Sequence, residues 1–139
     1  MCGLKNIEQN TKLIDKLIAL KKFDKDKFVI IDVGARGGFE GHWKKYKDQA
    51  LILGFEPDER ECARLNRKNK YTSNKFYPIA LSNKSGKRKF YITNYPASSG
   101  FYKANMEFYN RLPDAKNLAV KKITTLKTTT LDSFLKKSS

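Results

Sequence analysis

The stretch FVIIDVGARGG, which begins at Phe28, constrains the fold of this chain more than any other part of its sequence. Its first six residues are apolar except for Asp32, and the run is closed by Gly34, Gly37 and Gly38. A short apolar run bounded by glycines is typical of a strand buried on both faces of a parallel sheet. Glycine has no Cβ, so the backbone at these positions can turn tightly and approach a ligand closely. The stretch therefore predicts a buried strand that ends in a ligand-binding turn.

Helical and strand patterns alternate along the rest of the chain. Apolar residues at helical spacing predict a helix at 4–22, and Asp58 followed by Glu61 predicts the capped start of a helix at 58–70. The remaining predicted elements are strands at 50–55, 76–81, 88–92 and 119–126, short helices at 40–47 and 106–111, and a closing helix capped by Thr130. This alternation predicts an α/β fold with parallel crossovers, in which an N-terminal helix within 1–27 precedes one domain at 28–139.

Two acidic residues define the kind of ligand that the turn predicts. The glycines depart from the GxGxxG pattern of dinucleotide sites, which argues against NAD. Asp32, two residues before Gly34, suits a cationic ligand group and would repel a pyrophosphate. Glu56 follows the next predicted strand, where a carboxylate can accept hydrogen bonds from both hydroxyls of a ribose. S-adenosylmethionine has a ribose, an ammonium and a sulfonium but no phosphate, so it is the predicted cofactor.

The net charge of +15 allows a second class of partner. It arises from 29 Lys and Arg against 14 Asp and Glu, an excess that favours contact with nucleic acid, an anionic glycan or a membrane surface. The charges are spread along the chain and lysine dominates, so a solvated basic surface is the alternative interpretation. Two cysteines without metal-ligand spacing predict no zinc site, no disulfide framework and a cytoplasmic location. No apolar run reaches the length of about 20 residues that a transmembrane helix needs.

Five blocks of the sequence carry a resemblance to a known family. In chain order they are IIDVGARGGFEGHW, LILGFEPDERECARL, YPIALSNKSGKRKFYIT, PASSGFYKAN and TTTLDSF. Together they resemble successive blocks of the FkbM-type methyltransferase family, across about residues 28–134. The resemblance implies a Rossmann-like class I methyltransferase fold and the use of S-adenosylmethionine. It also implies methyl transfer to a hydroxyl oxygen of a small molecule, such as a sugar or natural product, or of a glycan.

The resemblance assigns roles position by position. The implied cofactor-binding residues are Asp32, Gly34, Ala35, Gly37, Glu56, Ala80, Leu81 and Ser82. Ser98 and Ser99 match paired serines of a loop over the cofactor, although Gly100 stands where the family has an apolar residue. The catalytic residue is not identified, because the sole histidine, His42, has no acid partner fixed by the motif. No metal is implied.

The resemblance also predicts that the domain is partial. In the family, a segment like TTTLDSF is followed by a further strand with an acidic block, whereas this sequence ends at Ser139. Residues 28–139 are therefore expected to form the N-terminal half of the sheet, truncated before the fourth core strand. The strand at 28–33 would then have an open edge that favours self-association, and the chain alone would lack activity. The alternative function is a non-catalytic basic module that binds nucleic acid or an anionic surface.

Overall fold

Two three-stranded sheets organise the part of the chain that the structure, a computed structural model, describes: residues 12–39, 46, 49–70 and 73–138. In chain order the elements are α1 (Lys12–Ala19), β1 (Phe28–Val33), β2 (Ala50–Phe55), α2 (Glu59–Lys68), β3 (Asn74–Tyr77), β4 (Ala80–Leu81), β5 (Gly86–Thr93), a 3-10 turn (Pro96–Ser98), α3 (Met106–Tyr109), α4 (Ala115–Leu118), β6 (Val120–Thr129) and α5 (Leu131–Ser138). The α/β class predicted from the sequence is confirmed.

The first sheet is parallel, in the order β1-β2-β3. Its register pairs Ile30 with Ile52, and α2 connects β2 to β3. One face of the sheet is covered by α2, whose Cys62 and Leu65 pack with Phe76 of β3. The predicted strand at 50–55 and the predicted strand at 28–33 are both confirmed as strands of this sheet.

Among the residues that the structure describes, a helix covers the opposite face of the first sheet only at one end. There Phe134 of α5 packs against Phe55 and Tyr77, with ring centroids 5.0 and 4.7 Å apart. At β1 the same face is open to solvent: the side chains of Val29 and Val33 are 53% and 62% exposed. The prediction that β1 is buried on both faces is therefore wrong. The apolar run specifies a strand, but the run alone does not supply a second covering layer.

The second sheet has the order β4-β6-β5, with β4 parallel and β5 antiparallel to β6. The single strand predicted at 76–81 is wrong, because the chain changes sheets in the middle of it. Pro78 has no N–H to contribute to a ladder. Directly after it, the N–H of Ile79 donates to the carbonyl of Tyr77 at 2.8 Å. β3 thus ends at Tyr77 in the first sheet, and the chain enters the second sheet as β4.

The helices α1, α2, α3 and α5 lie where helices were predicted, whereas α4 was not predicted. α1 lies within the helix predicted at 4–22 but ends at Ala19, because residues 20–22 form a turn. Residues 4–11 lie outside the described residues, as does the helix predicted at 40–47 apart from Tyr46. Asp58 caps α2, because its side chain accepts from the N–H groups of Arg60 and Glu61 at 3.0 and 3.2 Å. Thr130 caps α5 in the same way, by accepting from the N–H of Ser133 at 3.1 Å.

Within these described segments, no helix combines the length and the apolar character needed to cross a bilayer. The same segments contain no cluster of His, Cys, Asp and Glu side chains suited to a metal ion.

Candidate functional site

A cavity of about 470 Å³ lies between the carboxyl ends of β1 and β2 and the inner face of the second sheet. Ligands of α/β proteins bind at this end of parallel strands, and the volume is within the range of small-molecule sites. The walls are mostly apolar, and the polar or charged side chains among them include those of Arg36, Glu56 and Asp58. The apolar lining includes Val33, Phe55, Ile79, Leu81, Phe90, Ile92 and Leu126.

Glu56 places a buried carboxylate at the wall of this cavity. It follows β2 directly, and its backbone N–H donates to the carbonyl of Tyr77 at 3.0 Å, which fixes the turn out of the strand. Its Oε1 accepts from the N–H of Asp58 at 2.9 Å. Burial raises the pKa of Glu56, and the hydrogen bond from Asp58 and the positive charge of Arg36 oppose that rise in part.

The glycine turn after β1 directs its N–H groups at protein oxygens. Gly34 and Ala35 both donate to the carbonyl of Phe55, at 2.9 and 3.1 Å. Gly37 donates to Oε1 of Glu61 at 3.0 Å. Gly34 and Gly37 have φ angles of +83° and +88°, in the left-handed region that favours glycine. A phosphate-binding loop presents its N–H groups to the ligand, so this arrangement disfavours a phosphate at the turn.

The carboxylate of Glu61, which accepts from the N–H of Gly37, also accepts hydrogen bonds from Arg64. Arg64 donates to both oxygens of Glu61, at 2.7 and 2.6 Å. These hydrogen bonds lower the pKa of Glu61 to about 2, against the effect of burial, and the N–H of Gly37 adds to the shift. Glu61 is therefore ionised at neutral pH. The sequence pattern also implies a reciprocal cap, in which Glu61 would accept from the backbone N–H of Asp58. In the structure Glu61 accepts from the N–H of Gly37 instead, and the N–H of Asp58 donates to Glu56.

Arg36 lies across the two carboxylates of the cavity wall. Its Nη2 donates to Oδ2 of Asp58 at 2.6 Å and lies 3.6 Å from Oε1 of Glu56. Burial acts to raise the pKa of Asp58, but the Arg36 hydrogen bond and the capping N–H groups outweigh it, so the pKa is lowered. The sequence pattern did not predict this bridge, which joins the turn after β1 to the residue that caps α2.

Four of the predicted cofactor residues line the cavity, namely Gly34, Glu56, Ala80 and Leu81, and so do Ser99 and Gly100. The other predicted residues lie elsewhere. Ala35 is buried beneath the turn, in the cluster of Cys62, Leu65 and Phe76. Asp32 is half-buried next to Gly54 of β2, and the N–H of Gly37 donates to Glu61. Ser82 accepts a hydrogen bond from Arg88. Ser98 lines a separate, smaller cleft. The roles of all these residues remain predictions.

The second sheet supplies a wall that the sequence reasoning missed. Phe90 and Ile92 of β5, with Thr124 and Leu126 of β6, form this wall. Both strands were predicted, but their inner faces were not assigned to the site. The available signal was the alternation of Phe90 and Ile92 with Lys89 and Tyr91, which marks one face of β5 as apolar.

Comparison with known proteins gives no relative: no family model, no curated protein and no solved structure matches this chain. The resemblance to FkbM-type methyltransferases therefore remains a prediction.

Proposed function

We propose that the cavity binds S-adenosylmethionine and that the chain carries the cofactor-binding part of an O-methyltransferase. The observation that carries this proposal is the buried carboxylate of Glu56, which stands at the carboxyl end of β2 beside Gly34 in an apolar cavity. A carboxylate in this place can accept hydrogen bonds from both ribose hydroxyls. The parallel order β1-β2-β3 supports the finer assignment of the first sheet to a Rossmann-like class I methyltransferase fold.

The remaining walls suit the other parts of this cofactor. Phe90, Ile92 and Leu81 offer apolar surface for an adenine ring. The turn at Gly34 does not present N–H groups to an anion, in keeping with a ligand that has no phosphate. When bound, S-adenosylmethionine supplies an electrophilic methyl group to an acceptor hydroxyl of a small molecule or glycan. The chain then contributes chiefly by positioning the two reactants, which is a large source of rate acceleration in itself.

The Glu56→Gln substitution tests the proposed ribose contact. Because hydrogen bonds to a charged group contribute about 1.5 to 3 kcal/mol, we expect the affinity for S-adenosylmethionine to fall by about 10- to 100-fold. Isothermal titration calorimetry measures this directly. Glu59→Gln is the matched control, since Glu59 is an exposed acid in the first turn of α2 and should leave the affinity unchanged. Equal affinities for all three proteins would contradict the assignment.

Substitutions at Gly34 and Gly37 distinguish two possible causes of lost binding: a side chain that fills the cavity, and a distorted turn. A Cβ at Gly34 or at Gly37 would meet no atom within 4 Å, and both residues have a positive φ. Only Gly34 lines the cavity. We therefore expect Gly34→Val to abolish S-adenosylmethionine binding in the same titration and Gly37→Val to retain most of it. Loss in both variants would instead indicate that the conformation of the turn, and not the space beside Gly34, governs binding.

One observation favours the second candidate function, a basic surface that binds a polyanion such as nucleic acid. Lys87 of β5 stands directly opposite Lys127 of β6, and both are exposed, with Lys89 and Thr125 as the next pair on the same face. Like charges directly opposite each other destabilise a sheet. Neither strand contains an acid, and the ion pairs at the cavity wall and on α2 use Arg36 and Arg64 as their cations. An anionic partner would compensate this repulsion.

Removal of the opposed lysines tests the basic surface. We expect the double substitution Lys87→Gln and Lys127→Gln to weaken binding of a labelled single-stranded oligonucleotide, because two phosphate contacts are lost. The slope of log affinity against log salt should fall in magnitude by about 1.4, at about 0.7 per contact. Fluorescence anisotropy over a salt series measures both quantities. The double variant of Lys12 and Lys16 in α1 removes the same charge elsewhere, and an equal loss in that variant would show that the charge acts without a defined surface.

A further inference from the structure

We infer that Arg36 is a specificity-determining residue: it competes with a ribose for Glu56 and thereby selects nucleoside ligands that carry a carboxylate. This inference rests on the proposed function and deepens it. Arg36, Glu56 and Asp58 all line the cavity, and the guanidinium lies between the two carboxylates. A ribose that takes both oxygens of Glu56 must therefore displace the cation that already lies beside Oε1.

The two contacts of Arg36 are unequal. Its Nη2 is 2.6 Å from Asp58, which is the length of a strong charge-assisted hydrogen bond, but 3.6 Å from Glu56, which is beyond hydrogen-bond length. The guanidinium can therefore leave Glu56 and keep its bond to Asp58. Asp58 is itself fixed, because the same carboxylate caps α2. The displaced guanidinium would remain at the cavity wall, attached to the start of that helix.

The backbone on both sides of Arg36 is held in place. The N–H of Ala35 donates to the carbonyl of Phe55, and the N–H of Gly37 donates to Glu61, which is in turn held by Arg64. Ala35 is buried, with its side chain in the cluster under α2. The exchange at Glu56 is therefore a movement of the Arg36 side chain and not of the turn.

The chemistry of the guanidinium identifies the ligand that compensates its displacement. Arginine presents five N–H donors in a planar fork that matches a carboxylate. Adenosine can occupy Glu56 but brings no anion to replace the Glu56 carboxylate that the guanidinium gives up, although the bond to Asp58 remains. S-adenosylmethionine and S-adenosylhomocysteine have an amino-acid end with a carboxylate, which can pair with it. Arg36 thus penalises the bare nucleoside and favours the ligand that carries the amino acid.

The test compares adenosine with S-adenosylhomocysteine by isothermal titration on the wild-type chain and on Arg36→Gln. We expect the substitution to raise the affinity for adenosine by several-fold and to lower that for S-adenosylhomocysteine by about tenfold, the effect of one charge-assisted hydrogen bond. Arg36→Lys keeps the charge but not the fork, so it should discriminate between the ligands less well than the wild type and better than Arg36→Gln. Arg67→Gln, at the exposed end of α2, is the control and should change neither affinity.

The outcomes separate this inference from the proposed function. If Glu56→Gln weakens both ligands but Arg36→Gln leaves their ratio unchanged, the role of Arg36 is overturned and the ribose contact stands. If neither ligand binds to the wild type or to Arg36→Gln, both proposals are overturned. Thermal unfolding of each variant shows whether it is folded, and a folded Arg36→Lys with wild-type selectivity also counts against the inference.

Discussion

Replacement of Phe55 by alanine is expected to lower the free energy of unfolding by about 3 to 5 kcal/mol, the usual cost of removing a large aromatic side chain from a core. Phe55 is 1% exposed, and its ring packs between Tyr77 of the first sheet and Phe134 of α5. Its removal would leave a cavity on that face of β2 and would take away the ring on β2 that Phe134 contacts. Because small domains are stable by only about 5 to 15 kcal/mol, this loss is a large share of the total.

Urea denaturation followed by circular dichroism measures the effect of Phe55→Ala. Phe108→Ala is the control, because Phe108 is 59% exposed in the short helix α3. We expect that control to change the free energy of unfolding by less than about 0.5 kcal/mol. Similar losses at the two positions would show that the packing between Phe55 and Phe134 does not stabilise the fold.

The second large effect is expected at the edge of the first sheet. Within the described segments β1 pairs with β2 alone, so its other edge has a row of backbone groups without a neighbouring strand. Beside that edge lie Val29, Ile31 and Val33, all exposed on one face. Exposed apolar edge strands recruit further strands. We therefore expect the chain to self-associate in a concentration-dependent manner, most readily at high salt, where its net positive charge is screened.

A single lysine on the edge should reverse this association, because charged side chains are a common protection of edge strands. We expect Val29→Lys to shift the molar mass in multi-angle light scattering towards that of a monomer. Leu13→Lys is the control: Leu13 is also exposed, at 69%, but it lies in the helix α1 and not at a sheet edge. A wild-type chain that remains monomeric at all concentrations would contradict the prediction, as would equal dissociation by both variants.

The features predicted correctly from the sequence are those specified by neighbouring residues. The caps at Asp58 and Thr130 depend on side chains that reach the backbone two or three residues away. The strand at 50–55 has enough apolar residues to be recognised in isolation. Glu56 was predicted to line the crevice because its place after a strand follows from the order of elements, and the structure does place it at the cavity wall.

The features that were missed depend on contacts between distant parts of the chain. The exposed face of β1 cannot be read from Val29 or Val33, since apolar residues give no information about the layer that covers them. The second wall of the cavity depends on how β5 and β6 pack against the first sheet. The bridge from Arg36 to Asp58 joins residues 22 positions apart and needs the geometry of both turns.

The change of sheet at Pro78 has a mechanical consequence for the cavity. The chain leaves the first sheet next to Tyr77, and it returns from the second sheet through α5, where Phe134 packs on that same tyrosine. The covalent connection and the packed aromatic contact therefore lie at one corner between the two walls. A ligand that pushed the two sheets apart would act against both, so the contact between Tyr77 and Phe134 would resist widening of the cavity.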